Sequence, residues 1–124
     1  MHPFRYAVSL RIWHPQIDAS AVSDTLGLAP KRTSPSVPSF WTHAYEVPQD
    51  NECAAFIYSA ASALRQHTDF FKRVRASGGR AEFFVGWFGD KNFGDSFSHA
   101  TLSVLAELQI DLSFDVYPDA PQVT

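Results

Sequence analysis

Hydrophobic and polar residues alternate along the first stretch of the chain. Phe4, Tyr6, Val8, Leu10 and Ile12 fall on one face, and Arg5, Ala7, Ser9, Arg11 and Trp13 fall on the other. A period of two over that length predicts a strand with one buried face and one mixed face. The same period returns at 40–47, 80–88 and 111–117. Trp41, His43, Tyr45 and Val47 oppose Thr42, Ala44 and Glu46. Ala81, Phe83, Val85 and Trp87 oppose Arg80, Glu82, Phe84 and Phe88, and Leu112, Phe114 and Val116 oppose Asp111, Ser113, Asp115 and Tyr117.

Between the strands the period lengthens. Asp18 is placed as an N-cap, with Ile17 and Val22 as a hydrophobic staple, so a helix is expected over 19–26, ended by Gly27. Lys31 to Ser39, with two prolines and three serines, reads as a surface loop. Pro48, Gln49, Asp50 and Asn51 stop the second strand and cap the next helix. Cys53, Phe56, Ile57, Ala60, Ala61 and Leu64 then form an apolar stripe at helical spacing. The stripe lapses between Leu64 and Phe70, with Thr68 inside the lapse as a capping residue. Two helices, 51–66 and 69–77, are therefore expected, the second closed by Gly78 and Gly79. The glycine- and aspartate-rich run 89–97 reads as loop. Ser98 then caps a short helix whose Leu102, Leu105 and Leu108 line one side.

The predicted order is β-α-β-α-α-β-α-β. Each strand is apolar on one side only, whereas a parallel sheet covered on both faces needs continuous apolar runs. The expected fold is α+β: a four-stranded, mostly antiparallel or mixed sheet with helices packed on one face. With 124 residues the chain fits a single domain with an ordered core over about 4–117. It is long enough to bury a core that needs no metal or disulfide.

Charge and composition narrow the function classes. A formal charge of −3 argues against the basic face that nucleic acid requires. One cysteine, Cys53, allows no internal disulfide and fits a reducing compartment. No basic region followed by an apolar run opens the chain, and no apolar run is long enough for a membrane span, so a cytoplasmic protein is expected. No phosphate-binding loop, dinucleotide fingerprint, nucleophile elbow or metalloprotease motif is present. The histidines at 2, 14, 43, 67 and 99 lack metal-ligand spacing, so neither metal nor cofactor is expected. Cys53 belongs to an apolar stripe and reads as buried and inert, and His43 as a hydrogen-bonded histidine. The loop Asp90 to Asp95 has its glycine one position early for a calcium loop and no glutamate twelfth. Lys72, Arg73, Arg75 and Arg80 complement a helix C-terminus without any phosphate partner.

Four features come in order along the chain: Val8-Ser9-Leu10-Arg11-Ile12, Leu26-Gly27-Leu28-Ala29-Pro30, Trp41, and Leu112-Ser113-Phe114-Asp115-Val116-Tyr117. Together they resemble a bacterial domain-of-unknown-function family, numbered forty-two seventy-nine, from about Tyr6 to Tyr117. The family's pattern pairs an "sLRi" strand with an "LGL-x-P" turn, a later Trp and a closing "D-x-Y" strand. Its members often carry a basic stretch with Gly and an acidic residue between the Pro and the Trp. Here Lys31-Arg32-Thr33 is followed by Ser, Pro and Val. The resemblance implies a stand-alone bacterial domain and supplies no catalytic residues.

The strand residues out of phase with the core define the candidate site: Arg5, Arg11, Trp13, Glu82, Phe84, Phe88 and Asp115. Phe84, Phe88 and Trp13 on one face would make an exposed apolar patch, the usual mark of a partner site. The leading expectation is a non-enzymatic protein-interaction module, immunity-like or regulatory, whose open sheet face meets another protein or a second copy. The alternative is a small hydrolase or ligand-binding protein using Arg11, Glu82 and Asp115. The charged residues on that face are expected to form surface pairs that contribute about 0 to 1 kcal/mol each.

Overall fold

The computed structural model describes residues 4–34, 36–48, 52–89 and 94–118. Its elements are β1 (Phe4–His14), α1 (Ala19–Leu26), β2 (Arg32–Thr33), β3 (Ser39–Ala44), α2 (Cys53–Leu64), a 3-10 turn (Arg65–His67), α3 (Thr68–Ala76), β4 (Arg80–Gly89), α4 (His99–Leu108) and β5 (Ile110–Pro118). The sheet has five strands, not four, in the order β2-β3-β1-β4-β5. It is mixed: β2 with β3, β3 with β1 and β1 with β4 are antiparallel, while β4 and β5 are parallel.

The added strand, β2, lies in the stretch expected to be plain loop. Its two residues pair with Thr42 and Trp41, and bonds from Lys31 N–H to Thr42 O (2.6 Å) and from Ser34 N–H to Phe40 O (2.9 Å) extend the ladder at both ends. Two residues are too few for an alternation to show in sequence. β3 stops at Ala44 rather than Val47, although Tyr45 N–H still donates to Val8 O at 3.0 Å.

All four helices pack on the sheet face that carries Tyr6, Val8, Leu10, Ile12, Trp41, Phe83 and Val85, and one hydrophobic core joins them. Asp18 caps α1 as its position predicts: Oδ1 accepts from Ala21 N–H (3.0 Å) and Ser20 O–H (2.7 Å), which holds the carboxyl below its ordinary pKa. Gly27 ends the helix at φ 66°. Trp41 fixes α1 to the sheet, since its Nε1–H donates to Ser23 Oγ at 2.9 Å while its ring is fully buried.

The helical segment after β3 is interrupted where the apolar spacing lapses, by a 3-10 turn. Thr68 does not cap α3, however. His67 occupies the N-cap position, and the Thr68 hydroxyl donates back to Arg65 O at 2.6 Å. The capping role given to Gln49, Asp50 and Asn51 falls outside the described residues. Glu52, at the N-cap of α2, makes no side-chain cap bond. Asp95 supplies one from a distant part of the chain, accepting from Ala54 N–H at 2.8 Å. In α4, Leu102 points outward, 51% exposed, because the buried line is Thr101, Val104, Leu105 and Leu108.

Candidate functional site

The face of the sheet away from the helices is organised in rows by the strand register. The row nearest β2 runs Arg32, Thr42, Arg11, Glu82, Asp111. The next holds Ala44, Ser9, Phe84 and Ser113, then come Ala7, Gly86 and Asp115, then Arg5, Phe88 and Tyr117. Trp13 sits at the opposite end between Phe40 and Arg80. All seven sequence-derived candidates thus share one face.

They are not, however, an exposed apolar patch. Each aromatic ring has an arginine over it: Arg11 over Phe84 at 3.6 Å, Arg80 over Trp13 at 4.0 Å, Arg5 over Phe88 at 5.4 Å. Guanidinium planes suit this stacking because they are delocalised and weakly hydrated. Trp13, Phe84 and Phe88 are consequently half-buried. Phe88 also stacks on Tyr117, centroids 4.9 Å apart and planes 9° apart. The Phe88 ring reaches back to Gly86, where a Cβ would stand 3.2 Å from two ring carbons, so a side chain there would displace the ring by a few tenths of an ångström.

The acidic members also depart from simple surface pairs. Glu82 is buried, with 7% exposure, on a central strand. Its Oε1 accepts from Ser113 O–H at 2.8 Å, and Arg11 and Arg80 approach its two oxygens, each at 3.9 Å. Asp115 stands apart from Glu82. It aligns with Gly86, four residues along β4 from Glu82, roughly 13 Å away. There its carboxylate accepts a hydrogen bond from the Tyr117 hydroxyl, which raises the Tyr117 pKa. The two carboxylates thus start far apart on the face, and Arg11 lies between them, near Glu82 and within charge range of Tyr117, the partner of Asp115. Asp111 pairs with Arg75 at 3.2 Å.

Sequence reasoning missed the β2 side of this face. Lys31, Arg32, Phe40 and Thr42, with Ser9 and Arg11, line a hollow of about 130 Å³. The basic pair Lys31-Arg32 was the one signal in the sequence, but without β2 nothing placed it beside Arg11.

His14, one of the scattered histidines, is a structural pin. It is 3% exposed, and its Nδ1 accepts from both Gln16 and Ile17 N–H at 2.9 Å. Nε2 therefore carries the proton and donates to Ser77 Oγ at 2.7 Å. Desolvation lowers the His14 pKa. His43 bonds the Ala29 carbonyl through Nδ1 at 2.6 Å and packs against Tyr45. Cys53 is fully buried, and burial, then the Asp95 charge, push its thiol up to about 12. Residues 90–93 of the loop compared with a calcium site lie outside the described residues. Among the described residues no cluster of three or more His, Cys, Asp or Glu side chains forms a metal set, and no helix is long and apolar enough to cross a membrane.

The family described as Domain of unknown function (DUF4279) matches residues 2–119 of the chain. Neither a curated protein nor a solved structure matches it.

Proposed function

Since the chain belongs to the DUF4279 family, which carries no activity to inherit, we propose from geometry that it is a protein-interaction module whose helix-free sheet face meets an acidic surface of another protein. The observation that supports this reading is the set of three arginines laid over three aromatic rings on one face. Arginine and aromatic side chains are the types that anchor interfaces, because they combine large apolar area with directed polar groups. A face held in this way is ordered before a partner arrives, so docking costs little side-chain entropy.

Charge selects the partner. The face carries Arg5, Arg11, Lys31, Arg32 and Arg80 against Glu46, Glu82, Asp111 and Asp115, five basic groups to four acidic, on a chain whose formal charge is −3. Two copies meeting face to face would bring these excesses together, which disfavours that form of dimer. An acidic patch on a different protein complements it.

The test compares native complexes. The tagged chain in its own cell extract should sediment as a species larger than the monomer. Arg11→Ala with Phe84→Ser should return it to monomer size, and Leu102→Ser on the exposed side of α4 should not. If the sheet-face variant sediments like the wild type, the reading is wrong.

A further inference from the structure

We propose that the hollow where β2, β3 and β1 meet binds the dianionic phosphate group of a phosphate ester with a flat aromatic body. This site goes beyond the contact reading and does not depend on it. The hollow measures about 130 Å³, space for roughly four waters at about 30 Å³ each, and so for a tetrahedral oxyanion.

The β2–β3 hairpin builds it. Lys31 N–H donates to Thr42 O, and Phe40 N–H donates to Ser34 Oγ at 2.8 Å, which fixes both arms. Register sets Arg32 opposite Thr42, and Thr42 opposite Arg11. Two guanidinium side chains thus start from strands roughly 10 Å apart, with a hydroxyl between them.

Two observations point to a ligand. First, Thr42 is 7% exposed, and among the described residues its hydroxyl has no hydrogen-bond partner. The hydroxyl belongs to a residue lining the hollow and is free to bond an acceptor oxygen placed there. Second, the charge is unbalanced. Arg11 shares its charge with Glu82, but among the described residues neither Lys31 nor Arg32 has an acidic partner. Two uncompensated cations match a phosphate monoester, which carries about −1.5 to −2 at neutral pH, better than a single carboxylate. Arginine pairs also suit phosphate because each offers two parallel donors.

The body of the ligand is set by Phe40. This ring lines the basic hollow and also a larger one of about 360 Å³ bordered by Trp13, Pro15, Pro38 and Arg80. Phe40 and Trp13 stand 5.4 Å apart, centroid to centroid. A planar ring ester-linked to the phosphate would pack against Phe40 at this step, since Arg80 already covers Trp13.

The test is a titration with phenyl phosphate, read by heat and by the amide shifts of Ser9 and Thr42. Benzoate, the same ring with one charge, is the comparison. Phenyl phosphate should bind with Kd of about 1 mM or tighter, and benzoate about tenfold more weakly. Lys31→Gln and Arg32→Gln, both at exposed positions, should each weaken phenyl phosphate about tenfold, and the isosteric Thr42→Val about threefold. A phosphotyrosine peptide binding more tightly than phenyl phosphate would identify a phosphorylated segment as the source, whereas equal affinity would identify a free small molecule. No binding, equal binding of benzoate, or binding indifferent to all three variants overturns the proposal.

Discussion

The guanidinium carbon of Arg11 lies 3.6 Å from the centre of the Phe84 ring, although the residue directly opposite Arg11 on β4 is Glu82. Arg11 reaches diagonally along the neighbouring strand, covering the ring with its plane while approaching the buried carboxylate at 3.9 Å. One side chain therefore closes an aromatic surface and helps balance a buried charge. This changes the expectation for Arg11→Ala with Phe84→Ser, which as the loss of a surface charge pair should cost about 0 to 1 kcal/mol. The cost should be about 1–2 kcal/mol, because Glu82 keeps Ser113 and Arg80 but loses its nearest neighbour on β1. Chemical denaturation measures this directly. A loss of several kcal/mol would mean these side chains are core.

His14 should make stability fall in mild acid. Its pKa is lowered from 6.5 in the folded state, so the unfolded chain takes up the proton first. Stability is then full above about pH 6.5 and declines as pH drops through the window between the unfolded and folded values. Protonation would also remove the Nδ1 lone pair that serves two backbone N–H groups. His14→Ala should cost about 1–3 kcal/mol at neutral pH and flatten the acid side of the profile. Melting curves of both proteins between mild acid and neutrality check this. A parallel loss in wild type and variant would assign the decline to other groups.

Asp95 ties the stretch before α4 to the first turn of α2. Removing its carboxylate by Asp95→Ala leaves Ala54 N–H without its acceptor and should cost about 1 kcal/mol. Cys53 should remain unreactive in that variant, because burial, the main cause of its raised pKa, is unchanged. Thiol labelling should therefore report opening of the helix layer rather than native reactivity. Rapid stoichiometric labelling of the folded protein would contradict this.

Gly86→Ala should displace the Phe88 ring by a few tenths of an ångström, since the new methyl group would stand 3.2 Å from two ring carbons. The Phe88–Tyr117 stack would loosen while the core face of β4 stays intact. Ring-current shifts of the Tyr117 protons read the change. Unaltered shifts would show that the ring slides without leaving its partner.

The strand alternation made the two faces of the sheet legible, because every second position is apolar from Phe4 to Ile12 and from Ala81 to Trp87. That sufficed to place all seven candidates together. The features that stayed hidden depend on pairing across strands, which no local pattern encodes. β2 exists only because Arg32 and Thr33 meet Thr42 and Trp41. The lids over Phe84, Phe88 and Trp13 depend on the β1–β4 register and, for Arg80, on its place opposite Trp13. The role of His14 comes from Gln16 and Ile17 folding back and from Ser77, on an element over sixty residues away. The close fit there also needs Gly79, where a Cβ would stand 2.6 Å from the His14 ring.

The contact surface itself is tested most directly by site-specific photocrosslinking in living cells. A crosslinking residue at Ala7, exposed on the helix-free face, is compared with one at Ser59, exposed on α2. The Ala7 probe should give a discrete adduct with another protein that disappears when Arg11→Ala and Phe84→Ser are added, and the Ser59 probe should give none. Adducts from Ser59 alone, or an Ala7 adduct indifferent to those two changes, would contradict the claim that this face is where the protein meets its partner.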